Sequence, residues 1–232
     1  MVAFRYGFDG TRTHKDVTIG GVTATTSYTY NGRLLAHYTC GTCSQHFYHD
    51  ARGRPAMVKF TNGGMTTYYT YVHNLQGDVV GLVDSANALV VEYKYDAWGK
   101  PFEPTDTLVT THGAENPFRY RRYMYDEETG YYYLRSRYSD PGLRRLVCAD
   151  GHHSTNFNLL DRDLLYYCRN KPLLFIDYNG YEAAACDIIR VIAVAEPTPF
   201  GRILAAIATV AVWAYNNIHS DAREKIKPKR KT

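Results

Sequence analysis

Residues 116–141 read NPFRYRRYMYDEETGYYYLRSRYSDP. Seven tyrosines fall between an Asn-Pro and an Asp-Pro, with the acidic turn Asp126-Glu127-Glu128-Thr129-Gly130 between two aromatic runs. Tyrosine at this density suits a pleated, half-buried surface, where the ring packs and the hydroxyl finds a polar partner. Two aromatic runs flanking a turn that ends in glycine predict a β-hairpin.

Working back toward the N-terminus, the turn glycines keep a rhythm. Tyr6-Gly-Phe-Asp-Gly10, Tyr30-Asn-Gly32, Tyr48-His-Asp-Ala-Arg-Gly53, Tyr71-Val-His-Asn-Leu-Gln-Gly77 and Tyr95-Asp-Ala-Trp-Gly99 place their last glycines 22, 21, 24 and 22 residues apart. Each unit has an aromatic strand end, a polar turn with Asp or Asn, a glycine and then another run such as Val79 to Val83. Gly, Asn and Asp tolerate the positive φ that tight turns need. At about 3.3 Å per residue, two strands of about eight residues with their turns fill one period. A fixed period of this size implies an array whose units bury their faces by stacking. An ordinary meander with hairpins at similar intervals is the plainer alternative.

The phrase Tyr95-Asp96-Ala97-Trp98-Gly99-Lys100-Pro101, the tyrosine block and the later Asp177-Tyr178-Asn179-Gly180 turn together resemble the Rhs/YD-repeat family and its core signature. The resemblance covers about residues 4–182. It implies a mainly β fold, a stacked β-hairpin strip as in a β-shell, followed here by a short α-helical C-terminal tail. The expected organisation is degenerate YD repeats over 1–100, a linker over 101–115, the core segment over 116–182, and a variable helical tail with a basic terminus over 183–232. In the family such a body is a structural shell that encloses and releases a C-terminal toxin or effector domain. The implied partners are therefore an upstream repeat shell or a C-terminal effector of the same polypeptide. The implied location is secreted or cell-surface, as part of a larger protein.

The resemblance also implies a site. The family's core segment acts as an intramolecular aspartyl protease, which needs two carboxyls close enough to share a proton. Carried over, Asp150 is the catalytic position with Asp161 or Asp163 as its partner. Asp177, Gly180 and Tyr181 then form the turn preceding a scissile bond near Tyr181-Glu182. This sequence departs from the pattern at three places: Arg122 stands for a glycine, Arg144-Arg145-Leu146 for Gly-Arg-Phe, and Tyr178 for a proline. The alternative is that the aspartates cap turns and the chain stays whole.

The remaining features narrow the reading. The chain has 232 residues, a formal charge of +4 and 22 tyrosines against 9 phenylalanines. Much of the positive charge sits in the last residues, so the balance does not point to nucleic acid. The start, MVAFRYGFDGTRTHKD, lacks the apolar core of a signal peptide. Export by other means, or a C-terminal piece of a longer protein, accounts for that. Residues 183–195 and 203–218 are Ala/Ile/Val-rich and predict helix. The apolar run Ile203–Tyr215 is 13 residues, short of the ~20 that span a bilayer, which fits a buried or interfacial helix with weak membrane association. The terminal KIKPKRKT predicts a solvated tail.

His37, Cys40, Cys43, His46 and His49 have ligand types suited to zinc. Their spacing is wrong for the common zinc module, and steps of three residues alternate faces along a strand. No metal and no cofactor are expected. His152-His153 beside Asp150 lack the framework of a metal nuclease. Cys148, Cys168 and Cys186 sit in apolar contexts and predict buried thiols. A rival from another class is a binding module in which tyrosines and Arg52, Arg54, Arg119, Arg121 and Arg122 stack on cell-surface carbohydrate.

Overall fold

The structure is a computed structural model that describes residues 1–102, 113–149, 165–181 and 183–185. Nine strands follow one another as an antiparallel meander in strict sequence order. They are β1 (Val2–Tyr6), β2 (Arg12–Ile19), β3 (Val22–Asn31), β4 (Leu34–Cys40), β5 (Cys43–His49), β6 (Pro55–Asn62), β7 (Met65–His73), β8 (Val79–Val83) and β9 (Leu89–Glu92). A meander places successive turns at opposite ends of the sheet. The turns containing Gly10, Gly32, Gly53, Gly77 and Gly99 therefore all fall at one end. The period near 22 residues is two strands and two turns.

The turns are built from a reused device. Asp50, Asn74, Asp84 and Asp96 each open a five-residue turn with the same hydrogen bonds. In the first, the Asp50 amide donates to the Arg54 carbonyl at 2.9 Å and the Gly53 amide to the Asp50 carbonyl at 2.9 Å. The Arg52 and Arg54 amides donate to Asp50 Oδ1 at 2.8 and 2.9 Å. The fourth residue turns left-handed, with φ of 73° at Gly53, 83° at Gly77, 61° at Asn87 and 88° at Gly99. Asn is the non-glycine residue that best tolerates this region. That explains why the Asp84–Ala88 turn escapes a search for glycines. The opposite end also uses short turns at Gly20-Gly21, Gly41-Thr42 and Gly63-Gly64, each with a positive-φ glycine.

One face of the strip is covered by the tyrosine block, which forms a second sheet of β10 (Met124–Asp126), β11 (Tyr131–Tyr133), β12 (Tyr138–Asp140) and β13 (Arg145–Leu146) in that order. The expected hairpin is β10–β11, with Met124 opposite Tyr133 and Asp126 opposite Tyr131. Its turn is closed by the Gly130 amide donating to the Asp126 carbonyl at 2.8 Å. Tyr133 and Met124 join a cluster with Tyr28, Phe47, Tyr71 and other strip residues. Tyr132, one position away on the other face, joins Tyr120, Tyr123, Leu146, Tyr167 and Ile176. A strand buried on both faces cannot alternate apolar with polar. That is why the sequence runs Tyr-Tyr-Tyr here.

The hydroxyls do find partners. Tyr132 donates to the Gly99 carbonyl at 2.7 Å, Tyr120 to Ala97 at 2.8 Å and Tyr71 to Asn116 Oδ1 at 2.7 Å. Each of these bonds ties the block to the strip. The last described elements are β14 (Phe175–Asp177) and β15 (Ala183–Ala185), which pair with each other. The sequence reading began a helix at 183; its first three residues are strand, because the chain folds back on β14 after the Gly180 turn. The rest of the expected helical tail and basic terminus lies outside the described residues. So does most of the expected linker, and so does Cys186. Cys168 is buried as expected, whereas Cys148 is exposed, because it follows the end of β13 on a bend with no cover.

Candidate functional site

The closing turn Asp177–Gly180 is the predicted site element that the structure describes, and it sits in a clamp. Asp177 is 2% exposed. Its Oδ1 accepts from the Gly180 amide at 2.8 Å and the Asn179 amide at 3.3 Å, and its Oδ2 from Arg137 Nη2 at 3.2 Å. Tyr123 donates its hydroxyl to the Asp177 carbonyl at 2.7 Å and accepts from the Asp177 amide at 3.1 Å. Tyr167 lies beside Tyr123, with 3.0 Å between the two hydroxyl oxygens. Burial pushes both phenols well above the ordinary range, so they act as neutral hydrogen-bonding groups.

The clamp reaches past the aspartate. Arg137 Nε donates to the Gly180 carbonyl, and Ser136 Oγ donates to the Asn179 carbonyl at 2.8 Å. Gly180 has φ of 76°, and a Cβ there would lie 2.3 Å from Ser136 Oγ and 2.8 Å from the Leu134 carbonyl oxygen. Glycine is required on both counts. Immediately beyond, Tyr181 is 52% exposed. The chain is thus gripped through Gly180, exposes the Tyr181 side chain with its amide donating to Asn179 Oδ1 at 3.0 Å, and returns as β15 against β14. Asp177 and Gly180 share one turn, and Tyr181 follows it directly. Asp150, Asp161 and Asp163 lie outside the described residues. Asp177, held by a guanidinium and two amides, positions the turn.

The departures from the family pattern are also located. Arg122 has φ of 62° and Arg144 φ of 60°. Both stand where the pattern has glycine, and both retain the left-handed backbone that glycine adopts most readily. Arg122 and Tyr178, two separate departures, meet: the guanidinium lies 5.5 Å from the ring centroid. That pairing gives each unusual residue a partner.

Three further arginines, not assigned to the core by sequence reasoning, lock the block to the strip. Arg12 is fully buried and reaches Asp126 Oδ2 at 2.5 Å from Nη1. Its guanidinium also lies 4.8 Å from the Tyr28 ring centroid and 4.6 Å from that of Tyr133. Burial works against its charge, but Asp126 together with Tyr28 and Tyr138 outweighs burial and holds Arg12 above the usual arginine value. Arg119 donates to the Asn116 and Gly113 carbonyls, both at 2.6 Å, and covers the Tyr93 ring at 4.2 Å. Arg121 donates to the Gln76 carbonyl at 2.8 Å and the Pro172 carbonyl at 2.7 Å. A signal existed in the alternation of Arg and Tyr through Arg119-Tyr120-Arg121-Arg122-Tyr123, which is the pattern of cation–π packing.

The candidate zinc cluster separates as the strand argument requires. His37 and His46 are cross-strand partners with ring centroids 4.1 Å apart, whereas Cys40 and Cys43 pack against the core cluster on the opposite face. No group of three or more potential metal ligands occurs among the described residues. A cleft of about 440 Å³ beside the last repeat turn is lined by Asp78, Asp96 and Tyr120, among others. Asp78 accepts from the Arg121 amide at 2.9 Å and from Asn74 Nδ2 at 2.7 Å, and Asp96 caps its own turn.

These features define a repeat protein: a hairpin strip covered by a tyrosine-rich block that holds a closing turn. No protein-family model matches the chain. Among curated proteins it is similar to the tRNA3(Ser)-specific nuclease WapA of Bacillus spizizenii, 30% identical over 194 residues, covering 78% of this chain and 8% of that protein. It is also similar to the tRNA(Glu)-specific nuclease WapA of Bacillus subtilis subsp. natto, 37% identical over 113 residues, covering 49% of this chain and 5% of that protein. Among solved structures it resembles a chain of the TcdB2-TccC3-Cdc42 crystal structure, with a TM-score of 0.62 at 21% identity, covering 78% of this chain and 9% of that one. The chain spans less than a tenth of the length of these relatives. It belongs to the Rhs/YD-repeat family.

Proposed function

We propose that this chain is a structural piece of an Rhs-type shell, in which the strip forms wall and the block anchors whatever follows Gly180. The observation that carries the reading is the clamp. Asp177, Asn179 and Gly180 are gripped by Arg137, Ser136 and Tyr123, and the next residue, Tyr181, is exposed before the chain returns as β15. Such an anchor suits a protein whose next segment is cargo, an effector or its remnant, enclosed and released by the shell. The reading also accounts for β1, an edge strand that a preceding repeat unit would pair with. The setting that fits is secretion or the cell surface, as part of a larger protein.

Self-cleavage is the enzymatic form of the same reading. It is favoured by the clamp's fixing of the carbonyl just before the predicted scissile region. Intact mass of the wild-type chain and of Asp150→Asn after prolonged incubation separates the two. The anchoring reading expects both to keep residues 183–232. Loss of that segment from wild type alone would replace anchoring with autoproteolysis. Carbohydrate binding is less well supported, because Arg119 and Arg121 are buried. No helix among the described residues is long and apolar enough to cross a membrane.

A further inference from the structure

The β4–β5 hairpin ends in Cys40-Gly41-Thr42-Cys43, and the two cysteines are directly opposite each other in register. Both are free thiols, half-buried, and both pack against the same core cluster. Opposed residues of an antiparallel pair have Cα atoms about 4.5–5.5 Å apart. A disulfide accepts about 4.4–6.8 Å, so this pair can close with little movement of the backbone.

A third residue completes the arrangement. Cys43 Sγ donates to Glu115 Oε1 at 3.7 Å, and Glu115 Oε2 is buried with no hydrogen-bond partner. The Glu115 carbonyl accepts from the Tyr38 hydroxyl at 3.2 Å and from Gln45 Nε2 at 3.1 Å, on the same two strands. Glu115 immediately precedes Asn116, where the tyrosine block begins. The hairpin tip therefore holds the entrance to the block partly through a thiol.

We infer that Cys40 and Cys43 form a reversible dithiol–disulfide pair that latches Glu115 while reduced and loosens it when oxidised. The oxidant is a low-molecular-weight disulfide, R–S–S–R. Cys43, as thiolate, attacks one sulfur, forming Cys43–S–S–R and expelling one RS⁻. Cys40, as thiolate, then attacks Cys43 Sγ, closing the Cys40–Cys43 bond and expelling the second RS⁻. The two cysteines lose two electrons, the oxidant gains them, and the two released protons are taken up by the RS⁻ groups. The product has no S–H to donate to Glu115, so Oε1 loses its thiol donor. Burial and the Glu115 charge both push the Cys43 thiol up, so the carboxylate acts as a brake on oxidation.

The test equilibrates the full chain in glutathione buffers of increasing oxidised fraction, followed by alkylation and peptide mass spectrometry. Cys40 and Cys43 are expected to lose alkylation together and to appear as one internally bridged peptide that reductant restores. Cys40→Ser and Cys43→Ser are expected to stop at a glutathione adduct. Glu115→Gln should speed the first exchange, because removing the carboxylate charge lowers the Cys43 thiol and raises its thiolate fraction. Cleavage after Glu115 by a glutamate-specific protease should be about fivefold faster in the oxidised chain, the equivalent of one hydrogen bond. The disulfide is overturned if both cysteines remain alkylatable at every glutathione ratio. Protection that requires added zinc and vanishes with a chelator also overturns it. The latch is overturned if Glu115 cleavage, or the Glu115→Gln exchange rate, does not change.

Discussion

The strip and the block solve the same packing problem in opposite ways. Strands β1–β9 pair only with their neighbours in sequence, and four turns of the strip repeat one capped geometry. The block is joined by long-range keys, each used once. Arg12 pairs with Asp126, Arg121 reaches both Gln76 and Pro172, and Arg137 reaches Gly180. Repetition distributes stability among many equivalent small terms, whereas each key holds a large share of it. Substitutions in the two regions should therefore differ in size more than in kind.

The largest effect is expected at Arg12. Removing one partner of a buried ion pair leaves an uncompensated charge, and Arg12→Met should lower stability by about 3–5 kcal/mol in denaturant unfolding. A loss under 1 kcal/mol would mean that Lys15, 3.4 Å from Asp126 Oδ1, substitutes for it. Gly180→Ala comes next. The added Cβ meets Ser136 Oγ and the Leu134 carbonyl at a left-handed backbone position, and a loss of about 2–3 kcal/mol is expected. Thermal melts that match wild type would show that the clamp yields.

Repeat turns should respond more weakly. Asp50→Ala removes the side-chain acceptor of one turn and should cost about 1 kcal/mol. This turn also predicts a pH effect. Burial would raise the Asp50 carboxyl, but the amide and guanidinium of Arg54 and the amide of Arg52 outweigh it and pull it down to about 2. A carboxyl lowered by folding contributes stability that is present above its unfolded value near ~3.9. That contribution is lost as pH falls through the folded value. Wild type and Asp50→Ala should thus differ most at neutral pH and converge toward pH 2 in urea titrations. The smallest effect is expected at Arg144, where glycine relieves a left-handed φ at some entropic cost. Arg144→Gly should stabilise by about 0.5 kcal/mol.

The same contrast governs what the sequence disclosed. The strip was legible because its turns need glycine at a fixed interval, and the hairpin at 124–133 because tyrosines flank a glycine turn. The Asp84–Ala88 turn was not, since Asn87 takes the glycine role. The buried arginines were hidden for a deeper reason: guanidinium groups ordinarily mark surface. Only the fold brings Tyr28, Tyr133 and Asp126 around Arg12. At residues 177–180 a turn was readable from the family resemblance. Arg137 and Ser136 were not, because their role depends on how the turn near Leu134 meets the one at Gly180.

The keys should make strip and block one cooperative body. Native-state hydrogen exchange on the full chain, wild type against Arg12→Met, tests it directly. Amides of β4–β7 and of β10–β14 should lose protection together and by the same free energy. Block amides that open while the strip keeps its wild-type protection would contradict it.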